Sequence, residues 1–257
     1  MKALILAGGY GTRISEETGI RPKPMVEIGG HPILWHIMKN YSAHGINEFV
    51  ILCGYKGSVI KEYFANYFLN NSSVTFDLKN NRMETISSNV EPWKVTLLET
   101  GVDSYTGGRI LRAKDVVGNE DFLLTYGDGL SNVDIKKTIE EHKKSQKLLT
   151  MTCVQPVGRF GAIAFDDNGG ITEFKEKPAG EVGWINGGFF VCSPKVFNYI
   201  KDGDKTIFER APLENLANER QINSYLHKGF WKCMDTLADK NSLEDLWNKG
   251  KAEWKVW

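Results

Sequence analysis

The sequence predicts an α/β fold built on a doubly wound, mostly parallel mixed sheet, with a smaller mixed α+β extension toward the C-terminal end. Three observations lead there. Short apolar runs at residues 3–7, 49–53 and 122–126 are each bounded by turn residues, the pattern of strands buried on both faces. Helical patterns separate these runs, and strands that alternate with helices make parallel sheets. From about residue 149 the pattern changes to closely spaced short strands.

Each element has its own justification. Residues 3–7 form the first strand, stopped by Gly8 and Gly9, and residues 33–41 read as the first helix. Residues 49–53 are the second strand, followed by a helix over 58–68 with Ser58 as its cap. Its aromatic face, Tyr63, Phe64, Tyr67 and Phe68, reads as packing and as a candidate interface. A helix over 108–117 leads to the third strand at 122–126, and a helix over 134–144 follows with Ile135, Ile139 and His142 on one face. Residues 149–156, 161–165 and 171–174 read as strands, with Asp167-Asn168-Gly169-Gly170 turning between the last two, and together they extend the same sheet. One continuous domain over 1–257 is expected, with a subsidiary region from about residue 149.

Composition narrows the function. Of 257 residues, 41% are hydrophobic and 25% charged, enough for a sizeable core in an ordinary globular protein. Lys and Arg together number 32, as do Asp and Glu, so no net basic field exists to hold nucleic acid. Cys53, Cys153, Cys192 and Cys233 form no Cys-x-x-Cys pair, and the five histidines form no metal-like cluster. The opening apolar run is too short for a signal peptide and no stretch reaches membrane-spanning length, so a cytoplasmic protein with no membrane partner is expected.

The stretch GGYGTRISEETGIRPKP comes directly after the first strand. Ile14 stands where a dinucleotide fingerprint needs its third glycine, and no Gly-Lys-Ser/Thr occurs, so neither the dinucleotide loop nor the P-loop fits. A glycine-rich turn at the carboxyl end of a parallel strand still presents bare N–H groups to an anion. Thr12 adds a hydroxyl, Arg13 a planar fork matched to phosphate, and Lys23, stiffened by Pro22 and Pro24, a placed ammonium. A phosphate-rich ligand is the functional reading; a glycine turn with two solvated cations is the alternative that the loop leaves open.

LAGGYGTR followed by PKP resembles the sugar-nucleotide pyrophosphorylases, nucleotidyltransferases that join a nucleoside triphosphate to a sugar 1-phosphate. TYGDG at 125–129, FKEKP at 174–178, INGGFF at 185–190 and Met234-Asp235-Thr236 fall where that family places its acidic and sugar-binding motifs, so the likeness runs over about residues 1–240. The resemblance implies a Rossmann-like nucleotide-binding part over about 1–148 and a sugar-binding and C-terminal part over about 149–257. It implies catalysis by Arg13, holding the departing phosphates, and by Lys23 at the α-phosphate. Leu6, Ala7, Gly8, Gly9, Tyr10, Gly11, Thr12, Glu99, Ser104, Arg109 and Asp128 would join them on the nucleotide. Gly161, Glu176, Lys177, Asn186 and Gly187 would meet the sugar phosphate, and Asp128 with Asp235 would hold Mg2+. The stretches VEPWKVTLLETG, TGGRI, GRFGAI, GFWKCMDT and LWNKGKAEWKVW are most similar to members that take CTP and glucose 1-phosphate to CDP-glucose, and a homo-oligomer is expected.

Each assignment has a plainer rival. Asp128 between glycines could be a turn residue, Asp235 a helix cap before Thr236, and Glu176 with Lys177 an exposed ion pair. Gly187 and Gly188 could form a bulge, and Trp247, Trp254 and Trp257 read as core or subunit contacts. Where the uridine- and thymidine-using relatives commonly carry glutamine, this chain offers Glu99, an acceptor for the cytosine amino group. The rival is a solvated Glu99, with the base read by the Gly8 loop or by Ser104 and Arg109. A catalytically silent nucleotide-sugar sensor would be expected to lack Lys23 or one aspartate, and a glycosyltransferase typically carries an Asp-x-Asp metal motif, absent around Asp128.

Overall fold

The computed structural model describes residues 1–156, 162–165, 171–175 and 183–257. Strand β1 (Ala3–Leu6) leads into the glycine loop, a short helix α1 (Ser15–Thr18) and the small ladder of β2 (Glu27–Ile28) with β3 (His31–Pro32). Helix α2 (Ile33–Ala43), β4 (Glu48–Cys53) and α3 (Gly57–Asn70) come next, then the antiparallel hairpin of β5 (Ser72–Asp77) and β6 (Arg82–Ser88), then β7 (Lys94–Glu99). Helices α4 (Thr106–Arg112) and α5 (Lys114–Val117) precede β8 (Phe122–Tyr126), β9 (Gly129–Ser131), α6 (Ile135–Ser145) and β10 (Leu149–Val154). The remainder is β11 (Ala162–Phe165), β12 (Ile171–Lys175), β13 (Ile185–Cys192), α7 (Ala211–Asn218), β14 (Ile222–His227), β15 (Trp231–Cys233) and α8 (Leu237–Asn248).

Seven strands form the central sheet in the order β14-β10-β13-β8-β1-β4-β7. Pairings within β8-β1-β4-β7 and between β10 and β14 are parallel; β13 alone runs against its neighbours, which makes the sheet mixed, as expected. Strand parity divides the core into two layers. Ala3 and Ile5 of β1 join Ile37, Tyr41 and Leu243 on one face, while Leu4 and Leu6 join Ile110, Phe208 and Leu216 on the other. A strand this apolar on both faces is stable only beneath helices on both sides, the physical basis of double winding. Among the described residues no helix is long and apolar enough to cross a membrane.

Several expected elements differ in detail. The helix expected over 58–68 begins at Gly57 and is not capped by Ser58: Lys56, at φ 49°, turns the chain into it with no side-chain cap. The helix expected over 108–117 is two, α4 and α5, meeting at Ala113. Two of the strands expected to extend the main sheet instead form a separate hairpin, β11 with β12, in which Ile163 opposes Phe174. The sequence pattern does not reveal the exposed β5–β6 hairpin, because its alternation has no buried face. On α3 the aromatic row splits: Tyr63 and Phe64 pack on the core while Phe68 is exposed. Trp254 is fully buried, with Trp247 and Trp257 packed around His36, so these tryptophans are core.

Candidate active site

Strands β1 and β8 lie side by side in parallel register, with Leu6 opposite Tyr126, so the loops leaving both emerge at the same sheet edge. Ligands of open α/β sheets collect at such edges. A cleft of about 750 Å³ opens there. Residues 6–13 line it, with Lys23, Ser104, Arg109, Asp128, Asn186 and Asp235.

Backbone and guanidinium are in close contact at one end. An added Cβ on Gly8 would lie 2.2 Å from Arg109 Nη1, so only glycine lets this loop run over that side chain. The Arg109 guanidinium is buried and held by neutral acceptors: Nη1 donates to Thr100 Oγ1 at 2.8 Å and to the Gly101 carbonyl at 2.6 Å, and Nη2 to the Val102 carbonyl at 2.9 Å. Burial lowers its pKa. Across the mouth the exposed Tyr10 hydroxyl donates to Asp103 Oδ1 at 2.9 Å, linking the glycine loop to the segment before α4.

At the other end, charges from distant parts of the chain converge. Lys23 Nζ donates to Asp128 Oδ2 at 2.6 Å and to Asp235 Oδ1 at 2.7 Å, and Arg13 Nη1 donates to Asp235 Oδ2 at 2.8 Å. Lys23 is buried on the short turn Lys23–Met25 that Pro22 and Pro24 set, so its stem is fixed. Burial pushes its ammonium down in pKa, but the two carboxylates outweigh that and hold it above the ordinary lysine value. Burial likewise pushes Asp235 up, and Lys23 with Arg13 overcomes it, leaving the carboxyl below its ordinary value. Beside them the Cys233 thiol donates to Asp235 Oδ2 at 3.5 Å, and burial pushes it up to about 11.

The pair Asp128 and Asp235 fits a divalent cation. Both present hard oxygens to one point already occupied by a positive charge, the Lys23 ammonium. The site offers these two carboxylates, and among the described residues no group of three or more His, Cys, Asp or Glu side chains converges on a metal position. Asp235 is not the helix cap its position suggested: Thr236 caps α8, its hydroxyl accepting from Asp239 N while Asp239 bonds back in a capping box.

The sugar-side candidates divide. Asn186 lines the cleft, its Oδ1 accepting from Gly188 N at 2.8 Å. Gly187 contributes its carbonyl to Trp231 Nε1 at 2.7 Å, and Trp231 also lines the cleft. The register of β13 against β10 shifts between Met151 and Cys153, a bulge at these glycines, with Gly188 at φ 79°. Gly161, Glu176 and Lys177 lie outside the described residues. Glu99 is not brought to the cleft: its Oε2 accepts from Lys61 Nζ at 2.8 Å on the α3 side of the sheet, where both groups are half-exposed. This is the position that the rival reading, a solvated Glu99, describes. Sequence reasoning missed Thr106, Tyr126, Glu209 and Trp231, all lining the cleft. Tyr126 stood inside the TYGDG motif, whereas Glu209 sits in a stretch with no recognisable pattern.

The pattern of the nucleotidyl transferase family matches residues 2–239. The chain belongs to this family. As a nucleotidyltransferase it is 57% identical, over the full length of both chains, to glucose-1-phosphate cytidylyltransferase of Salmonella typhi. It is 48% identical, again over both full lengths, to a probable glucose-1-phosphate cytidylyltransferase of Bacillus subtilis (strain 168). The fold of this nucleotidyltransferase matches that of a putative glucose-1-phosphate thymidylyltransferase from Bacillus anthracis with a TM-score of 0.68, covering 96% of this chain and 94% of that one at 19% identity.

Proposed function

We propose that this nucleotidyltransferase transfers the cytidylyl group of CTP to glucose 1-phosphate, giving CDP-glucose and pyrophosphate. The observation that carries the reading is the convergence of Arg13, Lys23, Asp128 and Asp235 beside the glycine loop in one cleft. The full-length identity to a glucose-1-phosphate cytidylyltransferase supports the choice of substrates.

In the reaction a phosphate oxygen of the sugar 1-phosphate forms a bond to the α-phosphorus of CTP, and the bond from that phosphorus to the bridging oxygen breaks in line. Pyrophosphate leaves with the electron pair. No side-chain nucleophile is needed. The glycine-loop N–H groups and Thr12 receive the triphosphate, Arg13 draws on the departing phosphates, and Lys23 turns from its carboxylates to the α-phosphate, where charge accumulates. Asp128 and Asp235 would hold Mg2+, which when bound supplies electrostatic neutralisation of the phosphates. Ser104, Arg109 and the backbone of the Gly8 loop read the base, in place of Glu99. Asn186 meets the sugar phosphate. Four free cysteines support a reducing, cytoplasmic setting, and the exposed Phe76, Leu78, Met83 and Ile86 of the β5–β6 hairpin support a homo-oligomer.

The test is a panel of nucleoside triphosphates against sugar 1-phosphates, scored by pyrophosphate release. CTP with glucose 1-phosphate is expected to be fastest; a protein that favours UTP or dTTP overturns the cytidylyl assignment, and one that releases no pyrophosphate from any pair overturns the reaction.

A further inference from the structure

One wall of the cleft is a continuous chain of hydrogen bonds that joins its two halves. The N–H of Gly188 donates to Asn186 Oδ1 at 2.8 Å, and Asn186 Nδ2 donates to the Tyr126 hydroxyl at 3.2 Å. That hydroxyl donates to Glu209 Oε1 at 2.7 Å, the Thr106 hydroxyl donates to Glu209 Oε2 at 2.6 Å, and Phe208 N donates to Thr106 Oγ1 at 2.9 Å. Every direction is set by the donor inventory. A carboxylate only accepts, so Tyr126 and Thr106 must both give Glu209 their single protons. The lone pairs of Tyr126 then face Asn186, and the oxygen of Asn186 is already taken by Gly188, so the amide must turn its nitrogen toward Tyr126. One amide hydrogen of Asn186 remains for a ligand.

The tyrosine ring is held as firmly as its hydroxyl. It lies against Gly188, where an added Cβ would meet Tyr126 Cδ2 at 2.4 Å, and edge-on to Phe190 with centroids 5.9 Å apart. Tyr126 stands two residues before Asp128, and both line the cleft together with Asn186. Glu209 is otherwise an odd group to find lining a cleft for two polyanions. Both of its carboxylate oxygens accept from hydroxyls of the wall, Tyr126 and Thr106, which fixes it as part of the scaffold.

We infer that Tyr126, locked by Glu209, is a positioning residue that fixes the Asn186 amide in the orientation that recognises the sugar 1-phosphate. This deepens the reading above and rests on its assignment of Asn186 to the sugar phosphate. Because the chain of bonds passes through Thr106, at the first turn of α4, it also reaches the segment that carries Ser104 and Arg109 to the cleft.

The test is a double-mutant cycle. Tyr126→Phe keeps the ring, and with it the packing on Gly188, and removes only the hydroxyl. It should raise the KM for glucose 1-phosphate roughly tenfold while the KM for CTP stays within about twofold. Asn186→Ala should do the same, and the double variant should be no worse than Asn186→Ala, since both act through one amide. Glu209→Ala should match Tyr126→Phe, whereas Glu209→Gln, which keeps an acceptor for the tyrosine, should recover most of the parent value. Effects that multiply in the double variant, an Asn186→Ala enzyme with the parent's sugar KM, or a CTP KM that moves as far as the sugar KM would each overturn the inference. The cycle is also read as calorimetric affinity for CDP-glucose. A parent that binds CDP-glucose without releasing pyrophosphate from CTP overturns the proposed reaction, and the cycle then decides on Tyr126 by affinity.

Discussion

Replacing Lys23 by methionine keeps the stem and removes the charge, with consequences for both stability and turnover. The ammonium is buried, 2.6 Å from Asp128 and 2.7 Å from Asp235, so its loss leaves two carboxylates facing each other, with Arg13 still paired to Asp235. Breaking a fully buried ion pair costs about 3–5 kcal/mol. Because Arg13 stays and the Asp128 side chain is 28% exposed, the lower end applies, about 3 kcal/mol. For a chain of this length that lowers Tm by roughly 6–12 °C. Turnover should fall by roughly 100-fold to 1000-fold, about 2.7–4 kcal/mol, as loss of one charge-stabilising donor does. The two losses separate under Mg2+: a divalent cation between the carboxylates should restore much of the Tm of Lys23→Met but little of its turnover. Thermal melts with and without Mg2+ and pyrophosphate release measure both. The parent's pKa for Lys23 lies above the ordinary 10.5, so the lysine's stabilisation is complete below that pH and is lost as pH rises beyond it, a loss that Lys23→Met should not show. Turnover within a few-fold of the parent would refute the catalytic role, and an unchanged Tm would refute the clamp.

Asp128→Asn and Asp235→Asn should each nearly abolish pyrophosphate release, with partial recovery at high Mg2+, and excess EDTA should silence the parent; turnover that persists in chelator would exclude a shared metal. Gly8→Ala drives a methyl to within 2.2 Å of Arg109 Nη1, so the KM for CTP should rise at least tenfold, and a variant with the parent's KM would show that the guanidinium can move aside without consequence. His36 is buried, its Nε2–H donating to the Ile28 carbonyl and its Nδ1 accepting from Trp254, and burial lowers its pKa to about 4. Stability from its neutral ring is present above the ordinary 6.5 and is lost as pH falls toward 4, about 3 kcal/mol in all, so His36→Gln should flatten the acid limb of Tm against pH between those values. Glu99→Gln should leave the CTP:UTP ratio of rates unchanged, since Glu99 pairs with Lys61 outside the cleft; a tenfold erosion would restore it as a base reader.

The local pattern of residues determined the doubly wound sheet, because a strand apolar at every position, such as Ala3–Leu6, can be satisfied only by helices on both faces. It also placed the glycine loop, since glycines at the carboxyl end of such a strand leave bare N–H groups at the sheet edge, where the loop lines the cleft. The sequence nominated Lys23, Asp128 and Asp235, but their meeting was decided in three dimensions, across 105 and 212 residues of chain, by the parallel pairing of β1 with β8 and the pairing of β9 with β15 that carries Asp235 in. Parity explains why Glu99 is not among the residues that line the cleft. Leu98 packs on the α4 face of the sheet and Leu97 on the α3 face, so Glu99 is turned with Leu97 toward Lys61, opposite the face that holds Arg109. Glu209 and Tyr126 became legible only once folded, because a hydrogen-bond chain from Gly188 to Phe208 has no period or spacing to read; its directions come from which group can donate to which when distant strands close on one cleft.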